Sequence, residues 1–461
     1  MNDAELIYDW NKVGRIQFDT CRKVTLDDET LRDGLQNPSV TDPSIGEKIE
    51  ILHLMEALGI EMVNIGLPGA GSRAYADTEA LAKEIARSRM KIRPNCAART
   101  HENDIRPIVE ISQHAGIAIE ASTFLGSSPI RRLVEDWTTD HLQRTVEHAV
   151  SFAVRHGLAD MFVTEDTVRT DPETIERLYS TAIRCGATSI VLCDTVGHAT
   201  PLGAYSLVQF VREKIVAPCG VEVRVDWHGH CDRGLAVANS LAAVLAGADQ
   251  VHAAANSLGE RVGNTPMELM LVNLRLLGLI DRDLSQLKRY CETVARATGI
   301  PIPPNYPVVG RDAFRTATGV HAAAIIKAFK KSDPMLANTV YSGVPSHLFG
   351  LEQVIEVGPL SGRSNVQYWL ERHDIPVTEE LVLRIFDTAK KASRVLTDEE
   401  ILTVCIGEAR ERSSLGNRGT DSHHRNPRAH VSRVSAWNAP CQALIRCRPE
   451  SAYGSGRQRH R

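Results

Sequence analysis

The segment Lys23-Val24-Thr25-Leu26-Asp27-Asp28-Glu29-Thr30-Leu31-Arg32-Asp33-Gly34 begins as a short apolar run and ends in a dense polar cluster. Residues 43–58 follow with the apolar spacing of a helix. The same order of apolar run, polar cluster and helical segment recurs along the chain. A strand that is repeatedly followed by a helix predicts a parallel sheet with helices packed outside it.

Eight short apolar runs have the length of strands, and a helical segment follows each. They are residues 23–26, 61–65, 91–94, 117–119, 160–163, 189–192, 222–225 and 250–253. The clearest helical segments are residues 43–58, 136–156, 172–185, 201–215 and 235–246. The glycines expected just past helix ends, where a left-handed residue is common, are Gly59, Gly116, Gly157, Gly186 and Gly247. Eight such units predict an α/β fold of the TIM (β/α)8 barrel type rather than a doubly wound sheet, which would have fewer units and a glycine-rich phosphate loop.

Polar clusters follow six of these runs, at residues 27–33, 95–99, 164–166, 194–195, 228–230 and 256–264. In a TIM barrel the active site lies at the carboxyl ends of the strands. The sequence therefore predicts that the functional residues lie at one end of the barrel.

Asp226-Trp227-His228-Gly229-His230 carries two histidines at strand spacing. Side chains i and i+2 of a strand point to the same face, so His228 and His230 can converge on one metal ion. Asp33 can supply a carboxylate ligand, and Arg32 beside it a fixed positive charge. A divalent metal and an arginine can both hold a carbonyl oxygen of a 2-oxo acid as it becomes an alkoxide. The histidine pair alone is more often two ordinary polar residues, and the Arg-Asp pair after the first strand is what favours a metal site.

The chain of 461 residues is long enough for a barrel and an additional segment. We predict a barrel over residues 20–280 and a linker over 281–310 that includes Pro301-Ile302-Pro303-Pro304-Asn305. A small, mainly helical subdomain is predicted over residues 311–408. Its helices should begin near Thr378 and Thr397, because acidic residues follow each threonine directly. Residues 413–461 are rich in arginine and lack periodicity, so this tail is expected to be disordered.

The bulk composition excludes several classes of function. A formal charge of −4 gives no general attraction to nucleic acid or to an anionic membrane. The ten cysteines form no CxxC pair, which favours reduced thiols and a cytoplasmic location. The start of the chain lacks the apolar core of a signal peptide, and no apolar run has the length of a membrane span.

Three motifs occur in order at the predicted strand ends: Thr30-Leu31-Arg32-Asp33-Gly34, the histidine pair, and Gly259-Glu260-Arg261-Val262-Gly263-Asn264. Two more lie beyond the barrel: Thr318-Gly319-Val320-His321-Ala322-Ala323-Ala324 and Ser361-Gly362-Arg363-Ser364-Asn365. Together they resemble the 2-isopropylmalate, homocitrate and citramalate synthase family of the DRE-TIM metallolyase superfamily. The resemblance covers roughly residues 20–400.

The resemblance implies an acyltransferase that condenses acetyl-CoA with a 2-oxo acid. It also implies a homodimer, because in the family the subdomain histidine reaches the barrel of the other subunit. Asp33, His228 and His230 would bind the metal, with Asn264 as a further ligand. Mixed oxygen and imidazole ligands suit Mg²⁺, Mn²⁺ or Zn²⁺ without choosing among them. Arg32 would stabilise the alkoxide.

The resemblance also assigns residues to the two substrates. Thr195 would hold the carboxylate of the 2-oxo acid, with Ser122 and Glu260 close to the substrate. His321 would be the general base toward acetyl-CoA, and Tyr341 a weaker candidate acid. Glu165 would be the electrostatic partner of His321, or else a structural partner of a barrel arginine.

Three features depart from the family pattern. Gly34-Leu35-Gln36-Asn37-Pro38 is similar to 3-hydroxy-3-methylglutaryl-CoA lyase, which cleaves the same kind of bond. Ser122 stands where 2-isopropylmalate synthases typically carry histidine, so the 2-oxo acid need not be 2-oxoisovalerate. We also expect no leucine-sensing regulatory domain.

Two other functions compete with condensation. One is a lyase or aldolase, against which the loop at residues 259–264 and the subdomain with His321 argue. The other is a non-catalytic family member, which should have lost a metal ligand or the arginine. Arg32, Asp33, His228 and His230 are all present.

Overall fold

The computed structural model describes residues 7–14, 17–331 and 333–416. The chain divides into two compact units, one through Cys405 and one from Ile406 onward. The last described helix continues to Gly416, so nearly all of the predicted tail lies outside the described residues. None of the described helices combines the length and apolar character that a bilayer-spanning segment needs.

Eight parallel strands close into a barrel in sequence order, with β8 pairing β1. The strands are β1 (Thr25–Asp28), β2 (Met62–Asn64), β3 (Arg93–Arg99), β4 (Glu120–Gly126), β5 (Ala159–Glu165), β6 (Ser189–Asp194), β7 (Arg224–Gly229) and β8 (Gln250–Ala253). The strands are mostly buried because the barrel interior covers one face and the helices cover the other. The predicted TIM barrel is thus confirmed.

Helices connect consecutive strands and continue beyond the barrel. They are α1 (Ile45–Ala57), α2 (Ser72–Ser88), α3 (Glu102–Ala115), α4 (Pro129–Glu135), α5 (Thr139–Arg155), α6 (Pro172–Arg184), α7 (Pro201–Val211), α8 (Ala217–Cys219), α9 (Ala236–Ala246), α10 (Met267–Leu276), α11 (Leu287–Thr298), α12 (Gly319–Lys330), α13 (Pro334–Thr339), α14 (Arg363–Arg372), α15 (Glu379–Lys391) and α16 (Asp398–Gly416). The five glycines predicted to lie just past helix ends all have positive φ, from 68° to 112°.

The fourth strand is displaced from its predicted position. The apolar run at residues 117–119 precedes β4, which instead spans Glu120–Gly126. The strand was hard to recognise because small and polar residues such as Ser122 and Thr123 face buried polar partners rather than an apolar core. The helix predicted over residues 136–156 begins later, at Thr139, as α5. Asp136, which has a φ of 54°, ends the preceding α4 instead of starting the predicted helix.

The region after the barrel is mainly helical, as predicted. It contains helices α12 to α16 and a two-stranded parallel sheet formed by β9 (Arg315–Thr316) and β10 (Val354–Ile355). The hydroxyl of Thr378 caps α15 by accepting a hydrogen bond from the Leu381 amide. Thr397 and Glu400 form the reciprocal bonds of a capping box at the start of α16. Both predicted helix starts are confirmed.

Candidate active site

A cavity of about 350 Å³ opens at the carboxyl ends of the barrel strands. Its walls come from every strand of the barrel or from the loop that follows it. The lining residues are Glu29, Arg32, Asp33, Gln36, Leu67, Ala97, Ser122, Phe124, Met161, Val163, Glu165, Val191, Cys193, Thr195, His228, His230, His252, Glu260 and Arg261. The polar clusters that follow the strands therefore meet in one chamber.

Asp33, His228 and His230 converge inside this cavity. Their ligand atoms all lie within 4.8 Å of one another. The two Nε2 atoms are 3.1 Å apart, and His228 Nε2 is 3.6 Å from Asp33 Oδ2. His228 is the penultimate residue of β7. His230 is the first residue after that strand and forms an isolated β-bridge with Asn264. Alternation along the strand thus brings both imidazoles to the same side.

The electrostatics of these side chains favour the forms that bind a metal ion. Burial, and then the neighbouring His230, lowers the pKa of His228 to about 3, so its imidazole is neutral. Burial works to raise the pKa of Asp33, but the neighbouring groups, with Arg32 first among them, together hold that pKa below its ordinary value. Two neutral imidazoles and a carboxylate form a donor set that fits a divalent cation.

Asn264 lies beside the three converging side chains on a tightly folded loop. Its Oδ1 is buried without a hydrogen-bond partner among the described residues, while its Nδ2 donates to the Leu258 carbonyl. An orphaned buried oxygen is what a further metal ligand would present before the ion binds. The loop needs glycine at residue 263, where φ is 93° and a Cβ would lie 1.5 Å from the Ser257 carbonyl oxygen.

The same loop docks onto the segment that follows β1. The Glu260 amide donates to Asp33 Oδ1 at 3.4 Å, and Asn37 Nδ2 donates to the Gly259 carbonyl at 3.0 Å. Asn37 belongs to the Gly-Leu-Gln-Asn stretch that departs from the synthase pattern. In this structure its hydrogen bond to the Gly259 carbonyl holds the loop that carries Asn264.

Arg32 is held between two carboxylates. Its Nη2 donates to Glu29 Oε2 at 2.5 Å, and its Nη1 donates to Asp33 Oδ2 at 3.2 Å. Burial would lower the pKa of Arg32, but the charges of Glu29 and Asp33 raise it above its ordinary value. The guanidinium is therefore a permanent positive charge next to the metal-binding group.

His252, on β8, continues this network into the barrel. Its Nδ1 is 3.3 Å from Glu29 Oε1, and its Nε2 is 3.5 Å from Asp226 Oδ2 and 3.7 Å from Asp27 Oδ2. Burial would lower the pKa of His252, but its contacts with Asp226 and Glu29 outweigh burial and raise that pKa to about 10. Arg224 in turn contacts Asp226 at 3.0 Å. Carboxylates and positively charged side chains thus alternate from the cavity into the interior of the barrel.

The wall facing this charged side is apolar. Met161 and Val163 of β5 cluster with Val191 and Cys193 of β6. In a closed barrel of eight strands, β5 lies across from β1, which leads into Arg32 and Asp33. The cavity thus has one wall suited to a metal and anionic oxygens and another suited to a hydrocarbon group.

Four other residues assigned from sequence also line the cavity. The Thr195 Oγ1 accepts a hydrogen bond from the Asp166 amide at 2.8 Å, which leaves its hydroxyl proton free to donate. Ser122 donates to Asn95 Oδ1 at 3.1 Å. Burial raises the pKa of Glu165, against the opposing charges of Arg131 and Arg32. Glu260 is positioned by the loop described above.

His321 and Tyr341 lie outside the cavity lining. His321 is exposed in the first turn of α12, and its ring stacks on that of Tyr341 with centroids 4.0 Å apart and planes 25° from parallel. The single chain therefore brings these two residues to each other but not to the residues around Asp33.

Several polar residues of the cavity were not assigned from the sequence, among them Glu29, His252 and Arg261. Glu29 and His252 were missed because they are far apart in the sequence and only the closed barrel brings them into contact. Arg261 was quoted within a motif without a role. Its Nη2 donates to the Thr195 carbonyl at 2.6 Å, and its Nε donates to Asp232 at 2.9 Å. For Glu29, the one local signal in the sequence was its position three residues before Arg32.

Several known proteins are similar to this chain in sequence. Residues 23–294 match the family model described as HMGL-like. The homocitrate synthase AksA of Methanopyrus kandleri is 32% identical over 411 residues, which are 87% of this chain and 97% of that protein. The 2-isopropylmalate synthase of Pyrococcus abyssi is 33% identical over 392 residues, 82% of this chain and 77% of that protein.

Solved structures share the barrel. The HMG-CoA lyase of Bacillus subtilis superimposes with a TM-score of 0.52 at 20% identity, covering 62% of this chain and 97% of the lyase. An HMG-CoA lyase of Acinetobacter baumannii, in complex with coenzyme A and 3-methylmalate, gives a TM-score of 0.52 at 20% identity, covering 64% of this chain and 95% of that chain. At this identity the likeness is one of fold.

Proposed function

Because this chain belongs to the HMGL-like family and is similar over most of its length to homocitrate and 2-isopropylmalate synthases, we propose that it is a metal-dependent acyltransferase. It condenses acetyl-CoA with a 2-oxo acid and releases CoA. The product is a 2-alkylmalate or a homocitrate-like acid. The observation that carries the proposal is the convergence of Asp33, His228 and His230 beside Arg32 in one cavity.

Asp33, His228 and His230 would hold the metal, with Asn264 as a further ligand. A divalent ion there supplies a Lewis acid for the keto and carboxylate oxygens of the 2-oxo acid. Arg32 donates to the keto oxygen, and its hydrogen bond strengthens as negative charge develops on that oxygen. The Thr195 hydroxyl, which is free to donate, holds the substrate carboxylate. The apolar wall around Met161 receives the side chain of the 2-oxo acid, with Ser122 and Glu260 near the substrate.

The remaining step is proton removal from acetyl-CoA. A base takes a proton from the acetyl methyl group, and the resulting carbanion attacks the keto carbon while the alkoxide forms. Water then hydrolyses the thioester, which releases CoA. We assign the base to His321, with Glu165 as its electrostatic partner and Tyr341 as a candidate acid. His321 lies outside the cavity of its own chain, so it would come from a second subunit of a homodimer or through movement of the helical region.

The proposal is tested with the purified full chain, stripped of metal and then supplied with Mg²⁺, Mn²⁺ or Zn²⁺. Acetyl-CoA is offered with pyruvate, 2-oxobutyrate, 2-oxoisovalerate or 2-oxoglutarate. Free thiol is measured with a colorimetric reagent, and the product is identified by mass spectrometry. Thiol release that needs both a 2-oxo acid and a metal supports the proposal.

Two controls sharpen this test. Asp33→Ala should be inactive, whereas Asp281→Ala, a highly exposed surface replacement, should retain full activity. The lyase alternative is tested with 3-hydroxy-3-methylglutaryl-CoA. Cleavage of that thioester, with no condensation of any 2-oxo acid, would overturn the assignment.

A further inference from the structure

We infer that Glu29, supported by His252, is a positioning residue that holds Arg32 in place and keeps Asp33 free for the metal. Neither residue belongs to the three side chains that would bind the ion in the proposed function. The inference rests on that function, and it concerns what prevents the arginine and the metal from competing for one carboxylate.

The competition is visible in the contacts of Asp33. Its Oδ2 is 3.2 Å from Arg32 Nη1 and also 3.6 Å from His228 Nε2. A guanidinium binds a carboxylate best through two parallel hydrogen bonds, one to each oxygen. If Arg32 closed on Asp33 in that way, the oxygen facing the histidines would no longer be available as a ligand.

Glu29 prevents Arg32 from forming two parallel hydrogen bonds with Asp33, because it binds the other terminal nitrogen, Nη2, of the guanidinium. Arg32 Nη2 lies 2.5 Å from Glu29 Oε2, a shorter contact than the one to Asp33. Glu29 is only 2% exposed, so water has little access to replace its carboxylate. The Nε of Arg32 is buried and has no hydrogen-bond partner among the described residues. Glu29 is therefore the main anchor of this arginine.

His252 fixes the direction of the Glu29 carboxylate. Its Nδ1 lies 3.3 Å from Glu29 Oε1, the oxygen that Arg32 does not use. Asp226 and Asp27 contact the other nitrogen of the His252 ring. Both oxygens of Glu29 are thus held, and the carboxylate is not free to swing toward the cavity and draw Arg32 with it.

The test is a double-mutant cycle read out by Mn²⁺ affinity, measured by titration of the full chain with paramagnetic resonance detection of the free ion. Glu29→Gln keeps the shape of the side chain and removes its charge. We expect Mn²⁺ to bind about tenfold more weakly, in the range seen when groups supporting a metal ligand are lost. In an Arg32→Ala background the same replacement should change Mn²⁺ affinity less than about twofold, because no arginine remains to compete for Asp33.

Kinetics give an independent readout. Glu29→Gln should lower kcat by about tenfold or more and leave the KM for acetyl-CoA within about twofold. Glu29→Asp keeps the charge and should recover part of the lost metal affinity. The matched control is Glu61→Gln, which removes the Glu61–Arg282 pair of similar length, 2.7 Å, away from the cavity. It should change neither metal affinity nor kcat.

Two outcomes overturn the inference. Equal weakening of Mn²⁺ binding with and without Arg32 would make Glu29 a direct ligand, together with His228 and His252, whose donor atoms also lie within 4.8 Å of one another. If Glu29→Gln binds Mn²⁺ as tightly as the wild type does, Glu29 has no role in positioning Arg32. If Glu29→Gln does not fold, Glu29→Ala, which also removes the charge, is carried through the same cycle with the same criteria. A wild type inactive with every 2-oxo acid would refute the proposed function, while the Mn²⁺ cycle would still decide the positioning.

Discussion

The Nε2 atoms of His228 and His230 lie 3.1 Å apart, with the rings inclined at 63°. Two nitrogen ligands bound at about 2.1 Å and separated by about 90–105° at a metal ion would be about 3.0–3.3 Å apart. Because strand alternation and the bridge from His230 to Asn264 fix this spacing, the fold itself holds the two imidazoles at a separation that suits an ion. Preorganisation of this kind lowers the cost of assembling the site.

Removal of the metal should abolish condensation. Protein treated with EDTA and desalted is expected to release CoA from acetyl-CoA at the background rate, even with a good 2-oxo acid. Addition of a divalent ion should restore turnover, because the ion supplies the Lewis acid that the proposed condensation requires. Full activity of the stripped protein, verified metal-free by elemental analysis, would show that Asp33, His228 and His230 serve another purpose.

Arg32→Ala should lose far more in kcat than in affinity for acetyl-CoA. The guanidinium is expected to contact the keto oxygen, and its interaction grows as that oxygen becomes an alkoxide. Loss of such a donor typically costs on the order of a hundredfold or more in kcat. Steady-state kinetics against both substrates measure the effect, and a near-wild-type kcat would remove Arg32 from the mechanism.

Met161→Ala should shift the preference toward 2-oxo acids with longer side chains. Met161 is fully buried in the apolar wall, and its truncation enlarges the space opposite Arg32. One methylene in such a pocket changes specificity by roughly tenfold or more. The measurement is the ratio of kcat/KM values for two 2-oxo acids that differ by a methylene.

Met55→Ala is the matched control for this prediction. Met55 is equally buried, but it lies in the outer core between strands and helices. Both replacements should reduce stability by about 2–5 kcal/mol, whereas only Met161→Ala should alter the ratio. An equal change in both variants would mean that the effect arises from general loosening of the barrel.

His321→Ala should abolish condensation and leave binding of Mn²⁺ unchanged, because His321 is separate from the cavity that holds the candidate ligands. If the base comes from a second subunit, mixing inactive His321→Ala with inactive Asp33→Ala should restore part of the activity. Restoration is measured after verified subunit exchange. Absence of recovery would favour a site built within one chain, and full activity of His321→Ala alone would refute the base assignment.

Glu84→Gln should lower the thermal midpoint by a few degrees near pH 7 and by progressively less as the pH falls. Hydrogen bonds from Ser88 and Arg87 lower the pKa of Glu84 to about 2. A carboxyl group whose pKa is lower in the folded state than its ordinary value of 4.5 stabilises the fold above that value. This contribution is lost as the pH falls from 4.5 toward 2. Thermal melts of both proteins between pH 7 and pH 3 test it, and a constant difference across that range would contradict the ionic explanation.

Local sequence patterns were sufficient for the architecture and for the candidate metal ligands. Alternating apolar runs and helical segments predicted the barrel, because strand and helix periodicities depend only on neighbouring residues. The five glycines past helix ends were recognisable for the same reason, since a left-handed cap is a local requirement. His228 and His230 were predicted to share a face from their i, i+2 spacing alone, and the structure brings their Nε2 atoms within 3.1 Å.

Contacts between distant segments were decided only by the tertiary structure. Glu29 and His252 are 223 positions apart in the chain, and the pairing of β8 with β1 is what brings them together. The position of β4 depended on polar partners such as Asn95 and Asp160, which a strand pattern does not reveal. His321 likewise could be matched to a motif, but only the folded chain shows that it lies outside the cavity. Periodicity is a property of adjacent residues, whereas the register of a closed barrel brings side chains together through the packing of all eight strands at once.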